Sequence, residues 1–253
     1  MKVALFVPCF IDAFFPDVAV ATLELLERFG CEVAYPLEQT CCGQPMANSG
    51  CHTDAAGAEA LFVRNFAGYD HIVGPSASCI HHIRDNLTAI PQTDEVKQVR
   101  ANAFELVEFL HDVLGVRDFP WAEFPHTVGL HNGCAALRAL RTASMSELNE
   151  TPFSKPMTLL SAVKGIRFAM PERPDECCGF GGVFAVEEEA VSCRMALDRL
   201  ADQRAARAEV ITSTDVSCLL QLEGVARRRG FALRMLHVAE ILAGRGAPRA
   251  VKA

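Results

Sequence analysis

The same cysteine-bearing phrase occurs twice in this chain of 253 residues. In the first half, the apolar run Val3–Val7 ends at Pro8-Cys9. A second run, Glu32–Pro36, leads into Thr40-Cys41-Cys42-Gly43, and a third, His71–Gly74, into Pro75-Ser-Ala-Ser-Cys79. In the second half, Thr127–His131 leads to Asn132-Gly133-Cys134. Gly165–Met170 leads to Glu176-Cys177-Cys178-Gly179, and Glu209–Thr212 to Ser213-Thr-Asp-Val-Ser-Cys218. Cys9 falls in register with Cys134, Cys41 and Cys42 with Cys177 and Cys178, and Cys79 with Cys218, at offsets of 125, 136 and 139 residues. A repeat this long describes two homologous domains rather than a solenoid, whose period is roughly 20 to 50 residues.

Short apolar runs bounded by turn residues read as buried strands. Between them lie helical patterns over 17–29, 54–67 and 185–207, with Gly30 as a C-cap. Strands alternating with helices predict an α/β fold: two homologous Rossmann-like domains with mainly parallel sheets, related by internal duplication. The expected domains are 1–120 and 121–253, joined through the proline-containing segment 116–126. Residues 244–253, rich in Gly, Pro, Arg and Lys, read as a frayed tail. Each half also ends on a similar phrase, Leu106-Val-Glu108-Phe-Leu110 and His237-Val-Ala-Glu240-Ile-Leu242, where Glu108 and Glu240 are expected to serve packing or capping.

In a parallel sheet the loops after the strands gather at the carboxyl edge. Cys9, Cys41, Cys42 and Cys79 therefore form one expected set of thiols, and Cys134, Cys177, Cys178 and Cys218 another. Four thiolates are the usual complement of an iron–sulfur cluster or a structural zinc. Gly43 and Gly179 supply the backbone freedom needed to aim two adjacent cysteines at one centre, and Gly181-Gly182 extends it. Vicinal disulfides would strain the peptide, and thiols that are redox-active without metal are the lesser alternative. Cys31, Cys51 and Cys193 have no counterpart in the other half and read as ordinary thiols.

The remaining composition narrows the setting. Half the residues are hydrophobic, 22% are charged and the formal net charge is −7, so the chain has no global electrostatic case for nucleic-acid binding. Asp12, Pro16 and Asp17 interrupt the N-terminal apolar run, so no signal peptide is expected. No run of 18 apolar residues predicts a membrane span. A reducing cytoplasm is the expected home, with the membrane reached only through partners; there a cysteine cluster points to metal or redox chemistry. Arg227-Arg228-Arg229 reads as the solvated end of a helix, with a docking patch for an acidic partner as the alternative. No flavin or nicotinamide fingerprint is present.

The phrases Cys-Cys-Gly-Gln-Pro (41–45), Pro-Ser-Ala-Ser-Cys (75–79), Cys-Cys-Gly-Phe-Gly-Gly (177–182) and Asp-Val-Ser-Cys-Leu-Leu (215–220) resemble the CCG-domain (cysteine-rich domain) family over nearly the whole chain. That family includes the cysteine-rich subunit of heterodisulfide reductase, the iron–sulfur subunits of glycolate oxidase and anaerobic glycerol-3-phosphate dehydrogenase, and a lactate-utilization branch, the lactate utilization protein A type, which this sequence resembles most.

The resemblance implies an iron–sulfur subunit that carries electrons in the oxidation of L-lactate or a related 2-hydroxy acid. It would work beside partner subunits, one of them ferredoxin-like, and not as a self-sufficient enzyme. It implies [4Fe–4S] clusters, one per domain, on the eight cysteines; zinc at one or both sites, in an assembly module, is the alternative. Catalytic residues are not implied. The match departs from the family in one respect. In the cysteine-rich subunit of heterodisulfide reductase the motif ends Cys-x-x-Cys and gives five thiols to a non-cubane cluster. Here Cys79 is followed by Ile80-His81-His82, and Cys218 by Leu219-Leu220-Gln221. His82 stands where the fifth thiol would be and can ligate through a ring nitrogen; Gln221 is a poor substitute. The non-cubane cluster is therefore not carried over. His81 and His131 read as neighbours of the two sets rather than as ligands.

Overall fold

The computed structural model describes residues 1–246; the segment 247–253, most of the tail expected to fray, lies outside the described residues. The fold is α/β, with two four-stranded, all-parallel sheets. The first contains β1 (Lys2–Leu5), β2 (Glu32–Ala34), β3 (His71–Gly74) and β4 (Ala103–Glu105), in the order β2-β1-β3-β4. The second contains β5 (Thr127–Leu130), β6 (Arg167–Ala169), β7 (Val210–Ser213) and β8 (Arg234–His237), in the equivalent order β6-β5-β7-β8. In both sheets the chain moves outward from the first strand in one direction and then crosses to the other side. A topological switch therefore lies between β1 and β3, and between β5 and β7. A crevice opens at such a point, outside the carboxyl ends of the strands.

The central strands are apolar because helices cover both faces. Val3 and Ala4 are fully buried, as are Ile72 and Val73. The helix Pro16–Arg28 starts with proline at its first turn and buries Val18, Ala21, Thr22, Leu25 and Leu26. That is the i, i+3, i+4, i+7, i+8 stripe of a helix with one apolar face. Gly30 follows the helix at φ 79°.

The halves share a core. Val3, Leu5 and Val18 belong to the same apolar cluster as Val128, Val210, Leu236 and Ile241. The helix Val238–Leu242 rests on Pro16–Arg28. Arg28 donates to the Ala243 carbonyl at 2.9 Å, and the Trp121 indole N–H donates to the Leu242 carbonyl at 2.9 Å.

The elements depart from the sequence expectation in three places. β1, β2, β5 and β6 are shorter than their apolar runs, whereas β3 matches its run His71–Gly74. The helix expected over 185–207 is two, Phe184–Glu187 and Glu189–Ala205, because Glu188 leaves helical geometry (φ −119°, ψ 47°). β4, too short and weakly patterned to read from sequence, runs directly into a capped turn. There Glu105 accepts from the Val107 N–H at 2.7 Å, and Glu108 accepts from the Glu105 N–H at 3.3 Å. His237 and Glu240 make the same reciprocal cap after β8, as the repeated phrase suggested.

Candidate metal centres

Each cysteine of the doubled frame lies just beyond a strand. Cys9 opens the helix Cys9–Phe14 after β1, and Cys41-Cys42 occupies the loop after β2. Cys79 lies in the helix Ala77–His81 after β3. Cys134 follows β5, Cys177-Cys178 follows β6, and Cys218 sits in the helix Val216–Arg229 after β7. All eight line one cavity of about 950 Å³, which also takes Phe10 from the first half and Phe180 from the second. Those two rings meet edge to face at 6.0 Å. The sequence placed four thiols on each sheet edge; the structure turns the two edges toward each other across a common space.

The vicinal pairs depend on glycine. Gly43 has φ 95° and Gly179 has φ 81°. A Cβ on Gly179 would lie 2.5 Å from the Ser192 carbonyl oxygen, so this turn packs against a helix that leaves no room for a side chain. The turn also aims main-chain donors at sulfur. The Gly179 N–H points to Cys177 Sγ at 3.4 Å, and the Phe180 N–H to Cys178 Sγ at 3.5 Å.

The thiols interact. Cys9 Sγ donates to Cys41 Sγ at 3.8 Å. Hydrogen bonds from Cys42 and Cys9 pull the Cys41 pKa down to about 2, aided by the Gly43 main chain and His82. Cys177 falls to about 2 for the matching reason, with Cys134 and then Cys178 as donors. The donors Cys9, Cys42, Cys134 and Cys178 are pushed up, first by those same hydrogen bonds. One thiolate per set is thus held ready beside protonated neighbours. Deprotonating all four without a cation would place like charges together in a half-buried site, which a metal would relieve. The donor set in each half, four thiols from three loops, suits a thiolate-held [4Fe–4S] cluster or zinc.

The three other cysteines lie apart from the cavity. Cys31 is buried in the shared core, Cys51 is exposed at the start of the helix His52–Phe66, and Cys193 is half-buried in the helix Glu189–Ala205. His81 lines the cavity and bonds Asp85 at 2.9 Å. His82 is buried behind the first set, 3.7 Å from the Glu59 carboxylate, and burial lowers its pKa to about 4. His131 is buried behind the second set and falls to about 3, chiefly through burial and then the charge of Arg199. Arg227, Arg228 and Arg229 are exposed at a helix end, with Arg227 paired to Glu223.

The sequence reading missed the bridge beneath the cavity. Buried Asp215, from the second half, accepts from Ser76 Oγ at 2.9 Å, the Ser78 N–H at 2.9 Å and Ser78 Oγ at 2.8 Å, all from the first half. Burial pushes its pKa up, and the serines oppose that shift. A signal was present: Ser76 and Asp215 each stand three residues before the last cysteine of their set.

This arrangement, two parallel sheets each carrying Cys, Cys-Cys-Gly and Cys on its carboxyl edge, defines a class of duplicated cysteine-rich α/β proteins. The family model described as cysteine-rich domain (CCG) matches residues 3–84 and again 128–223. The chain belongs to the cysteine-rich CCG-domain family, in the group of lactate utilization protein A. It is 37% identical over 246 residues to the lactate utilization protein A of Geobacillus thermodenitrificans, covering 96% of this chain and 98% of that one. With the protein of that name from Exiguobacterium sp. it shares 38% over 248 residues, 95% of this chain and 96% of the other. With that of Bacillus subtilis it shares 36% over 249 residues, 97% and 100%. Among solved structures, a putative Asp/Glu racemase from Yersinia pestis aligns over 96% of each chain at 10% identity, with a TM-score of 0.35.

Proposed function

We propose that this chain is the iron–sulfur subunit of an oxidoreductase complex serving lactate utilization, in which L-lactate or a related 2-hydroxy acid is oxidised. Cys9, Cys41, Cys42 and Cys79 would hold one [4Fe–4S] cluster, and Cys134, Cys177, Cys178 and Cys218 a second. The observation that carries this reading is the convergence of all eight register cysteines, and none of the other three, on one cavity. Thiolate-held iron supplies one-electron chemistry, its potential set by hydrogen bonds to sulfur and by burial. The chain's own part is to fix the thiolates, to supply N–H donors from the Gly179 turn, and to keep the two sites on facing walls of a shared space. Electrons would leave through partner subunits, one of them ferredoxin-like, in the cytoplasm. No helix among the described residues is long and apolar enough to cross a membrane.

Iron and acid-labile sulfide analysis with EPR on anaerobically isolated protein is the test. Near-zero iron and sulfide after anaerobic reconstitution would sink the reading. Cys177→Ser is expected to lose the second centre, whereas Cys51→Ser keeps both; equal losses would break the partition of the thiols.

A second reading has one observation behind it. The Cys9–Cys41 separation of 3.8 Å equals the edge of a tetrahedron with metal–sulfur bonds of about 2.3 Å, as zinc makes. A colourless protein with stoichiometric zinc after anaerobic isolation would favour a zinc-stabilised module, which cannot carry electrons.

A further inference from the structure

The two halves differ at two equivalent positions, and the differences compensate. Three residues before its first cysteine, the first half has Phe6, fully buried against Phe62 and Phe66. The second half has His131 there, also buried, and neither ring nitrogen finds a hydrogen-bond partner among the described residues. Three residues after its last cysteine, the second half has Gln221, satisfied by a 2.8 Å bond to Ser192. The first half has His82 there, buried, with Nε2 unpartnered. Each half thus carries one buried, unsatisfied imidazole beside its cysteines, taken from a different one of the two positions.

An apolar core position tolerates a phenylalanine at no polar cost. An imidazole without a partner is disfavoured there unless something else occupies its nitrogen. At His131 the candidates are close: its ring nitrogen, Cys178 Sγ and Cys218 Sγ all lie within 4.8 Å of one another. At His82, Nε2 lies 3.5 Å from where a Cβ on Gly43, the residue after the vicinal pair, would stand. Its other neighbour is Glu59, whose Oε2 is taken by the Ala89 N–H at 2.8 Å. Glu59 Oε1 faces the same ring nitrogen at 3.7 Å, beyond hydrogen-bond distance, and leaves it unpartnered.

We propose that these two histidines complete the two sets: His131 is a nitrogen ligand of the metal centre on Cys134, Cys177, Cys178 and Cys218, and His82 of the centre on Cys9, Cys41, Cys42 and Cys79. Each half then offers five donors, four sulfur and one nitrogen. This rests on the reading that the cysteine sets hold metal. A neutral imidazole as the fifth donor, in place of a fifth thiolate, leaves the cluster with one negative charge fewer and a higher potential.

The test uses the full chain, reconstituted anaerobically with iron and sulfide and reduced, with and without ¹⁵N-labelled histidine. Pulsed EPR is expected to show a directly coordinated nitrogen that converts to the ¹⁵N pattern on labelling. His131→Gln and His82→Gln should each remove the coupling of one centre while the other remains. His131→Cys should keep iron, lose the nitrogen signal and shift the midpoint potential of that centre negative. Should a variant fail to fold, the labelled wild-type spectrum decides alone. Full iron and sulfide with no histidine nitrogen would overturn this inference and leave the iron–sulfur reading standing. Should the bound metal be zinc, X-ray absorption decides: an all-sulfur shell overturns it and a mixed sulfur–nitrogen shell supports it. A chain that binds neither metal overturns both.

Discussion

Asp215→Ala is expected to separate the two halves energetically. The carboxylate is buried and accepts three hydrogen bonds across the interface, from Ser76 Oγ, the Ser78 N–H and Ser78 Oγ, at 2.8 to 2.9 Å. Truncation leaves the Ser78 main chain without an acceptor and leaves Ser76, itself 3% exposed, only the Ser78 hydroxyl at 3.3 Å. A buried donor that loses its partner costs about 1–3 kcal/mol. Three such losses, eased where the Ser78 side chain can reach water in the cavity, sum to about 4 kcal/mol. That is a large share of the roughly 5–15 kcal/mol of an ordinary domain. The assay is urea unfolding of the reduced, metal-free protein, with Ser76→Ala and Ser78→Ala in a double-mutant cycle. The cycle is expected to show coupling of about 1–3 kcal/mol between Asp215 and the serines. A loss under about 1 kcal/mol for Asp215→Ala, with additive serine variants, would refute the bridge.

Two further outcomes follow from the same geometry. Gly179→Ala meets both a left-handed φ and a Cβ contact of 2.5 Å with a main-chain carbonyl, so it should lose several times the stability of Gly182→Ala. The latter has open space around it and costs only the left-handed conformation, about 1–2 kcal/mol; similar thermal shifts for the two would contradict the packing. His237 is fully buried and its pKa falls to about 4, mainly through burial. Between its ordinary 6.5 and 4 the unfolded chain therefore binds more protons. Its contribution is complete above pH 6.5 and is lost on acidification through that window, by about 3 kcal/mol. His237→Asn keeps a capping acceptor, so wild type should lose that much more than the variant between pH 7 and pH 4 in parallel denaturant titrations; equal pH slopes would refute it.

What the sequence disclosed follows from the physics of parallel sheets. Buried strands must be apolar runs, and the loops after them must end at one edge, so Val3–Leu5, His71–Gly74 and Val210–Ser213 and the cysteines behind them were all legible. The pairing of Cys41-Cys42 with Gly43 announced a left-handed turn. The facing of the two edges was not legible, because it is set by long-range packing of Val238–Leu242 on Pro16–Arg28, and no local pattern encodes that. The break at Glu188 was hidden for a similar reason: helical periodicity continues through it. Asp215 looked like one more polar loop residue until its partners, some 137 residues away, were in view.

The interface shows what a fused duplication can do that a symmetric pair of identical subunits cannot. About a two-fold axis each residue near the axis faces its own copy. The equivalent positions 76 and 215 do meet here: Ser76 Oγ donates to Asp215 Oδ1 at 2.9 Å, and the Ala77 N–H approaches the neighbouring Thr214 carbonyl at 3.4 Å. Aspartate at both positions would bury two carboxylates in contact, and serine at both would leave a weaker bond. One of each gives a charge and its donors. The caps behave alike. Glu105 and His237 occupy equivalent places in the two capping boxes, both fully buried at this interface. The Glu105 carboxyl is pushed well up by burial, then by Glu108, and Asp215 adds to the shift. A second glutamate at position 237 would add another buried acid, whereas the neutral imidazole caps the Ala239 N–H at 3.1 Å without charge. At these two pairs of positions divergence has fallen where strict symmetry would set like charge against like, whereas the eight thiols, which face a shared cavity, have stayed the same.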